Sequence, residues 1–410
     1  MFLLVTYNKM FEYISYIFCF AILILFAIYI YIRLKFGFWY LQPVFHIYNL
    51  NYMLFPPGII DENLPIKNKY TNFKNIETIL FSSLTSMQKS RFINLIKLNY
   101  LQNKDNLFSP KSENVFSYFI GFNEKTLISF YYNEENMLDI KYGNLISDKK
   151  IIGAITSRPM EIIINCKKEK TQKHINAYYV DYLCVDLLHR KKGIAPQLIQ
   201  THHYNQRHIN KNIVISLFKR EDELTGIVPL CVYSTYGFSV SKWTKPYSLT
   251  KEYKILEINK TNFRFLYNFI LEHSDKFDII VKTHISNLLE LINTKNIYIY
   301  VVMCDMKIIC CYFLRKTCIE IEKGLEVLSL FASICDCEEN IFIQGFKIIF
   351  WNLAAEKMFG YCAIENISHN DIIINNIIQK TNPTIISPTA YFFYNFAYPT
   401  FQSNKTLIIN

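Results

Sequence analysis

The fold is most constrained by residues 179–198, YVDYLCVDLLHRKKGIAPQL, where a strand pattern changes to a helix pattern within one short stretch. From Tyr179 to Val185 most residues are β-branched, aromatic or otherwise apolar, which predicts a strand buried on most of its surface. Pro196 suits the first turn of a helix, so a helix is predicted directly after the basic run. The rest of the chain must be arranged around this strand-to-helix junction.

The junction has the residues of a phosphate-binding loop. Basic or titratable side chains stand at consecutive positions, namely His189, Arg190, Lys191 and Lys192. Free backbone N–H groups and the positive end of the helix dipole converge at a helix start, and Gly193 lets a ligand approach the backbone. A solvated basic turn is the alternative. The combination with Gly193 and a small Ala195 favours a phosphate or pyrophosphate site.

This stretch resembles the signatures of two related families. Arg190-x-x-Gly193-x-Ala195 after an apolar strand is similar to the pyrophosphate loop of the N-acetyltransferase (GNAT) superfamily, which binds acyl-CoA. YLCVDLLHRKKGIAP resembles, without a gap, the signature of the N-myristoyltransferases, in which FLCV precedes a basic run that ends in Ala-Pro. The resemblance implies an α+β fold of two GNAT-like halves in a pseudo-two-fold repeat, with acyl-CoA as the acyl donor.

A second motif is FGFWYLQPV at 36–44, which resembles the FW–QPV motif of the N-myristoyltransferases. The resemblance implies that Phe38 and Trp39 line the CoA site, where large aromatic surfaces suit an adenine or a pantetheine arm. An aromatic belt at a membrane interface is the alternative. Two motifs of one family in the family's order are more specific than either alone.

Two further segments connect these motifs. IIGAITSRPMEIII at 151–164 is similar to the family's LVGFISAIPANIRI and is expected to form two strands of an antiparallel meander. Residues 76–100 have the apolar spacing of one or two amphipathic helices. NYLQNKDNLF at 99–108 resembles the family's acidic peptide-binding loop, which implies peptide contacts by Tyr100, Asp105 and Phe108. A polar turn is the alternative, and whether basic residues are preferred in the acceptor stays open.

The pattern of elements begins again after residue 245. We expect a strand and an amphipathic helix over 253–271, a hairpin over 297–314 that turns at Asp305–Met306, and a helix over 339–357. This order repeats that of the first half. The expected division is an anchor at 1–35, an acyl-CoA-binding GNAT-like half at 36–245, and a half at 246–410 that binds the peptide and supplies the base.

The catalytic groups are implied by the resemblance. Backbone N–H groups of Tyr182 and Leu183 form the oxyanion hole, and the C-terminal α-carboxylate at Asn410 is the base, with a pKa that desolvation raises toward that of the amine. Acyl-CoA contacts are implied for Leu183, Cys184, Val185, Arg190, Lys191, Lys192, Gly193, Ile194 and Ala195. An alternative mechanism would use Cys184 as a nucleophile that carries the acyl group. This cysteine lies in an apolar strand without a neighbouring base, which favours a structural role.

The N-terminal segment predicts membrane attachment. Residues 13–32 contain no charged side chain and have the length of one membrane-spanning helix. Two basic residues, Arg33 and Lys35, follow this segment, whereas the one basic residue before it, Lys9, is offset by Glu12. Because basic residues favour the cytoplasmic side of a membrane, we expect a single-pass membrane protein with the rest of the chain in the cytoplasm. A buried core helix is the alternative; a cleaved signal peptide would have a shorter apolar run.

Composition limits the ligand classes. The formal charge of +10 suits CoA phosphates or an anionic lipid surface and gives no argument for nucleic acid. The 11 cysteines show no paired zinc-ligand spacing, so reduced thiols and no metal are expected. His202, His203 and His208 fall in a polar helix and are expected to be exposed.

The resemblance implies that the protein is an N-myristoyltransferase. It would act as a monomer that moves the myristoyl group of myristoyl-CoA to the N-terminal glycine amine of peptides or proteins. Ser234 and Thr235 stand where the family has an aromatic–histidine pair, which keeps open an inactive acyl-CoA-binding or lipopeptide-binding module. A related N-acyltransferase with another acyl chain or acceptor, and a structural membrane protein, also stay open.

Overall fold

The computed structural model describes residues 2–35, 37–101, 107–138, 145–166, 171–221, 226–241, 243–322, 324–357 and 359–410. The helices are α1 (Phe2–Lys35), α2 (Leu50–Leu54), α3 (Ser86–Asn99), α4 (Ser112–Phe116), α5 (Ile194–Ile209), α6 (Phe263–Glu272), α7 (Ile285–Asn293), α8 (Glu339–Lys357) and α9 (Asn370–Ile378). The strands of the first part of the chain are β1 (Gly58–Ile59), β2 (Ile76–Leu80), β3 (Leu107–Phe108), β4 (Leu127–Leu138), β5 (Leu145–Cys166), β6 (Thr171–Val185), β7 (Ile215–Glu221) and β8 (Cys231–Ser239). Those of the second part are β9 (Tyr253–Glu257), β10 (Ile279–Lys282), β11 (Ile297–Cys304), β12 (Lys307–Glu322), β13 (Leu325–Cys335), β14 (Phe359–Glu365), β15 (Ile385–Tyr394), β16 (Phe396–Ala397) and β17 (Thr406–Ile409).

One large mixed sheet organises the chain. Its strands lie in the order β17-β10-β5-β6-β7-β15-β8-β14-β13-β12-β11-β9, with β4 beside β5, β2 beside β4 and β3 beside β12. Alternate residues of β5 enter different apolar cores, Ile151 on the face of α3 and Ile152 on the face of α5. α5 packs closely here because Gly153 has no side chain; a Cβ would lie 2.9 Å from Leu198 Cδ1.

The same succession of pairings occurs twice. In the first half β2 pairs with β4, the strands β4, β5 and β6 form an antiparallel meander, and α5 leads to β7, which is parallel to β6. In the second half β9 pairs with β11, the strands β11, β12 and β13 form the meander, and α8 leads to β14, which is parallel to β13. A parallel pair needs such a crossover. The expected mixed α+β architecture is confirmed.

The predicted elements of the second half are confirmed individually. β9 and α6 form the strand and helix, and α8 covers Glu339–Lys357. β11 and β12 form the hairpin, which turns at Asp305 and Met306 with φ of 47° and 64°. The division of the chain at residues 35 and 245 stays a prediction.

Two predicted elements were wrong. Residues 151–164 lie in one strand rather than two. β6 pairs with this strand from Gly153 onward, interrupted only at the bulge, while the other edge passes from β4, which ends its pairing at Ser157, to β10, which begins at Glu161. Pro159, which lacks an N–H group, falls in the gap between those two partners. The segment Ile76–Leu80 is a strand rather than a helix, and the helix begins only at Ser86.

Two irregularities of β6 open the sheet. The parallel pairing of β6 and β7 ends at Val180 and Phe218, beyond which β7 continues along β15 and the two strands diverge. On the other edge of β6 the register shifts between Asp181 and Cys184, which leaves Tyr182 and Leu183 without paired residues on β5. Such a bulge removes backbone groups from the ladder and redirects the chain. The cleft of the candidate site begins here.

The N-terminal helix α1 lies outside the folded body. Its segment Tyr13–Leu34 has a mean hydropathy of 2.5 and is not buried against the rest of the structure. By length and composition it could cross a membrane, a test that signal sequences near an N-terminus also pass. Attachment to a membrane therefore stays a prediction.

Candidate active site

A cavity of about 750 Å³ occupies the gap between β6 and β7. Side chains from both faces of β6 line it, Tyr179 and Asp181 from one face and Val180 from the other. Of the residues predicted from sequence, it is lined by Trp39, Tyr100, Phe108, Tyr182 and Leu183. Asp105, the remaining predicted peptide contact, lies outside the described residues.

The two aromatic residues of the FW motif have different surroundings. Trp39 lines the cavity and stacks on Phe218 of β7, with ring centroids 5.9 Å apart and an interplanar angle of 11°. Phe38 lines neither of the two cavities of this site; its ring packs edge-on against Trp39 at 5.1 Å and against Tyr70 at 5.1 Å. Phe38 therefore holds Trp39 in position.

Tyr100 and Phe108 lie together at the mouth of the bulge. The Tyr100 ring centroid is 5.6 Å from that of Phe108 and 5.4 Å from that of Tyr182. The Tyr100 hydroxyl donates to Asp181 Oδ1 at 3.4 Å. Burial, followed by the nearby Asp181 charge, raises the pKa of Tyr100 well above its usual value, so this hydroxyl stays a hydrogen-bond donor.

The predicted phosphate cradle is a second cavity, of about 590 Å³, at the start of α5. It is lined by Leu183, Cys184, Val185, Arg190, Lys191, Gly193, Ile194 and Ala195, whereas Lys192 is not among its lining residues. Gly193 is the N-cap of α5 with φ of 75°, and a Cβ there would meet no atom within 4 Å. The start of α5 therefore borders open space at Gly193. Tyr100, Leu101 and Leu183 line both cavities, which therefore adjoin.

The Arg190 guanidinium donates hydrogen bonds mainly to backbone groups of the protein itself. Its Nε donates to the Val185 carbonyl oxygen at 3.2 Å and its Nη2 to the Asn99 carbonyl oxygen at 2.6 Å. The Asn99 side chain in turn accepts a hydrogen bond from the Leu187 N–H at 2.8 Å. Arg190 therefore ties the loop to the end of α3, and the exposed Lys191, with φ of 61°, is the freer cation.

The bulge presents the two predicted oxyanion donors differently. The Tyr182 N–H donates to Asp181 Oδ1 at 2.8 Å, and Tyr182 itself has φ of 48°. Leu183 is partly exposed and lines both cavities. The Asp181 carboxylate therefore occupies the Tyr182 N–H.

The register of the sheet brings polar and charged residues, which sequence analysis did not identify, to one face of the cavity. They are Arg158 on β5, Asp181 on β6, Lys219 on β7, Arg315 on β12 and Glu365 on β14. One local signal existed, because Arg158 interrupts an apolar strand and stands where the family segment quoted above has isoleucine.

Lys219 and Glu365 form an ion pair inside the cavity. Lys219 Nζ lies 3.2 Å from Glu365 Oε1, and the Tyr233 hydroxyl donates to Glu365 Oε2. Burial acts to raise the pKa of the Glu365 carboxyl, but Lys219 and Arg315 lower it, and the net pKa lies below its usual value. Glu365 is therefore ionised, and it neutralises Lys219.

Asn410 lies in the core at the end of β17 and is 1% exposed. Its side-chain Oδ1 accepts a hydrogen bond from Arg315 Nη2 at 2.9 Å. Asn410 lines neither cavity, but Arg315 lines the larger one. The Arg315 side chain thus lies between Asn410 and the larger cavity.

The expectation for His202 and His203 was wrong, since both are buried and line the larger cavity. The His202 ring nitrogens lie 2.7 Å from Ser129 Oγ and 2.9 Å from Ser157 Oγ. Burial lowers the pKa of each histidine to about 3. A helix that looks polar in sequence can bury His202 because serine hydroxyls satisfy its ring, whereas the His203 ring packs edge-on against Tyr394 with centroids 4.7 Å apart.

Cys184 is buried, and burial raises the pKa of its thiol to about 12. A protonated thiol is a poor nucleophile, so the structure favours a structural role. Over the described ranges, no group of three His, Cys, Asp or Glu side chains could hold a metal ion.

The chain is similar to known proteins in part of its sequence and in its fold. Residues 62–231 match the model of the family described as Myristoyl-CoA:protein N-myristoyltransferase, N-terminal domain. A crystal structure of Saccharomyces cerevisiae N-myristoyltransferase with bound myristoyl-CoA superposes with a TM-score of 0.67 at 14% identity, covering 90% of this chain and 94% of that chain. A second structure of the yeast enzyme with myristoyl-CoA gives 0.68 at 14% identity, covering 90% and 89%. No curated protein sequence matches the chain.

The fold is the mixed α+β fold of the yeast N-myristoyltransferase structures, and together with the family match it supports an acyltransferase. Residues 62–231, which contain the cradle, the bulge and β7, match the model of the N-terminal domain of the N-myristoyltransferase family. The remainder of the chain shares the N-myristoyltransferase fold.

Proposed function

We propose that the chain transfers the myristoyl group of myristoyl-CoA to the N-terminal glycine amine of a peptide or protein, as a monomer and without a metal. The observation that carries the proposal is the continuity of the two cavities. The cradle at Gly193 suits the CoA phosphates, and the gap between β6 and β7 suits the pantetheine arm and the thioester. The yeast proteins of the same fold have myristoyl-CoA bound.

The reaction needs no cofactor. The amine nitrogen attacks the thioester carbonyl carbon, the C–N bond forms, and the C–S bond breaks. Two protons leave the ammonium nitrogen; one ends on the CoA thiolate and the other is taken by a base. Backbone N–H groups of Tyr182 and Leu183 stabilise the oxyanion, a contribution that is usually among the largest in acyl transfer.

The proposed base is the α-carboxylate at Asn410. Its support is the burial of Asn410 beside Arg315, which lines the cleft. Asp181 has a separate part in this proposal, because its carboxylate occupies the Tyr182 N–H. It has to turn away before the thioester oxygen can enter the oxyanion hole.

The proposed location is a membrane, with α1 as a single anchor and the acyltransferase body on the cytoplasmic side. The support is the unburied apolar segment Tyr13–Leu34. Separation of membranes from lysate by centrifugation tests it: the full chain should resist extraction by alkaline carbonate, and the 36–410 fragment should stay in the supernatant. Full chain in the supernatant would contradict the anchor.

Calorimetry and turnover test the activity together. Residues 36–410 should bind myristoyl-CoA and should acylate glycine-initiated peptides but not the same peptides with an acetylated N-terminus. A second candidate is a module that binds acyl-CoA without turnover, which the occupied Tyr182 N–H favours. Binding without any transfer would select this second candidate, and absence of binding would exclude both.

A further inference from the structure

The larger cavity contains a cation without an acidic partner in the described part of the chain. Arg158 is 2% exposed and lines the cavity. Its Nε has no hydrogen-bond partner. Its guanidinium carbon lies 4.7 Å from the ring centre of Tyr118 and 4.9 Å from that of Tyr179. The two rings clamp the planar group and leave its outer N–H groups to the cavity.

Most of the other charged side chains that line the cavity have a polar partner. Lys219 is paired with Glu365 at 3.2 Å, and Lys316 lies 3.6 Å from Glu326. Arg315, whose Nε also has no hydrogen-bond partner, donates from Nη2 to the side-chain amide oxygen of Asn410 at 2.9 Å. Asp181 accepts hydrogen bonds from the Tyr182 N–H and the Tyr100 hydroxyl. Within the described ranges no ion pair joins Asp181 to Arg158, although the two are diagonal neighbours on β6 and β5.

A buried guanidinium without a counter-ion is costly, and a protein retains one where a ligand completes it. The fork of N–H donors on arginine matches a carboxylate, which it binds through two parallel hydrogen bonds. The clamp by two tyrosines orders this fork before any ligand arrives, so less side-chain entropy is lost on binding.

We infer that Arg158 is a specificity residue that binds a carboxylate of the acceptor, so the preferred acceptors carry an acidic group close to the amine. This inference rests on the proposed function and narrows its substrate class. It excludes a preference for basic residues next to the glycine, because a lysine there would meet Arg158.

The register fixes how close the acidic group must be. Diagonal neighbours on antiparallel strands lie about 7–8 Å apart, and Asp181 is adjacent to the oxyanion donor Tyr182. An extended peptide advances about 3.3–3.6 Å per residue. A carboxylate that reaches Arg158 therefore belongs to one of the first few residues after the glycine, or to the α-carboxylate of a free amino acid.

The test measures the affinities of matched acceptors for residues 36–410. The protein is first saturated with a thioether analogue of myristoyl-CoA, which cannot transfer its acyl chain. The peptides are C-terminally amidated and differ only in Asp or Asn after the glycine; free glycine and glycinamide form the second pair. We expect the carboxylate member of one pair to bind about tenfold more tightly than its amide, and the responding pair identifies the source of the carboxylate. Equal affinities within both pairs would overturn the inference.

Variants of the arginine complete the test. Arg158→Gln should abolish the Asp-over-Asn preference while leaving the affinity for the Asn peptide and for the acyl-CoA analogue unchanged. Arg158→Lys keeps the charge but lacks the two parallel N–H donors, so it should retain only part of the preference for the Asp peptide. Arg264→Gln is the control: it removes an exposed cation on α6 and should retain the whole preference. A preference that survives in Arg158→Gln would contradict the assignment.

Two further readouts separate the possible failures. Arg158→Gln should unfold at a higher temperature than the unsubstituted protein without ligand, because it removes an uncompensated buried charge; a lower temperature would count against the free cation. If the analogue does not bind, the proposed function fails, but the peptide comparison on the unloaded protein still decides the inference. If Asp and Asn peptides are acylated equally well, only the inference fails.

Discussion

The Asp181 carboxylate accepts a hydrogen bond at 2.8 Å from the backbone N–H of the next residue, Tyr182, which lies in the β6 bulge and has no paired residue on β5. A carboxylate oxygen thus occupies the position that the proposed mechanism gives to the oxyanion. The proposed mechanism therefore includes a step in which Asp181 yields this donor to the thioester.

Replacing Asp181 tests this step. Asp181→Asn keeps the shape of the side chain and removes its charge, so the developing oxyanion no longer competes with a carboxylate. We expect kcat for peptide acylation to rise about tenfold, the worth of one hydrogen bond to a charged group. Steady-state kinetics measures it, with Asp148→Asn, remote from the cleft, as the control. A fall in kcat would contradict this step.

Shortening the chain tests the base. Deleting Asn410 moves the terminal carboxylate by one residue along β17, and we expect transfer to fall at least about a hundredfold, the usual contribution of a general base. Myristoyl-CoA binding should persist. Asn410→Ala is the matched control because it removes the amide held by Arg315 but keeps the α-carboxylate. Comparable rates in the deleted and full chains would exclude this carboxylate.

Two basic residues of the phosphate cradle are expected to have different roles, with Lys191 binding acyl-CoA and Arg190 holding the loop in position. Lys191→Ala should weaken acyl-CoA binding about two- to fivefold at low salt, with less effect at high salt, and should leave the melting temperature unchanged. Arg190→Ala should lower both the affinity and the melting temperature, because the Arg190 side chain holds Asn99 and Val185. Calorimetry and thermal unfolding measure the two effects. A stable Arg190→Ala protein would contradict the positioning role.

The burial of His202 and His203 predicts that the folded protein loses stability at acidic pH. Burial lowers the pKa of each to about 3, so the unfolded chain binds more protons than the folded chain between about pH 3 and 6.5. The stability that the neutral rings contribute is present above pH 6.5 and is lost as the pH falls toward 3. Urea unfolding across this range should show the loss, and His202→Asn should reduce it. An unchanged pH dependence in His202→Asn would contradict this assignment.

The sequence predicted what local residues determine. The cradle at Gly193 follows from a strand, a basic run and a helix start that are contiguous, and α8 follows from its own periodicity. Arg158 and Lys219 could not be assigned to one cavity in this way, because their common face depends on the register of several strands that are distant in sequence. The burial of His202 was missed for a similar reason, since Ser129 and Ser157 come from two other strands.

The most direct measurement incubates residues 36–410 with myristoyl-CoA and a glycine-initiated peptide that has Asp at the second position, and follows the peptide by mass spectrometry. The account predicts a product heavier by one myristoyl group attached to the N-terminal amine, with release of one free CoA thiol per product. Myristoyl-CoA that is bound by the protein but never transferred to any glycine amine would contradict it.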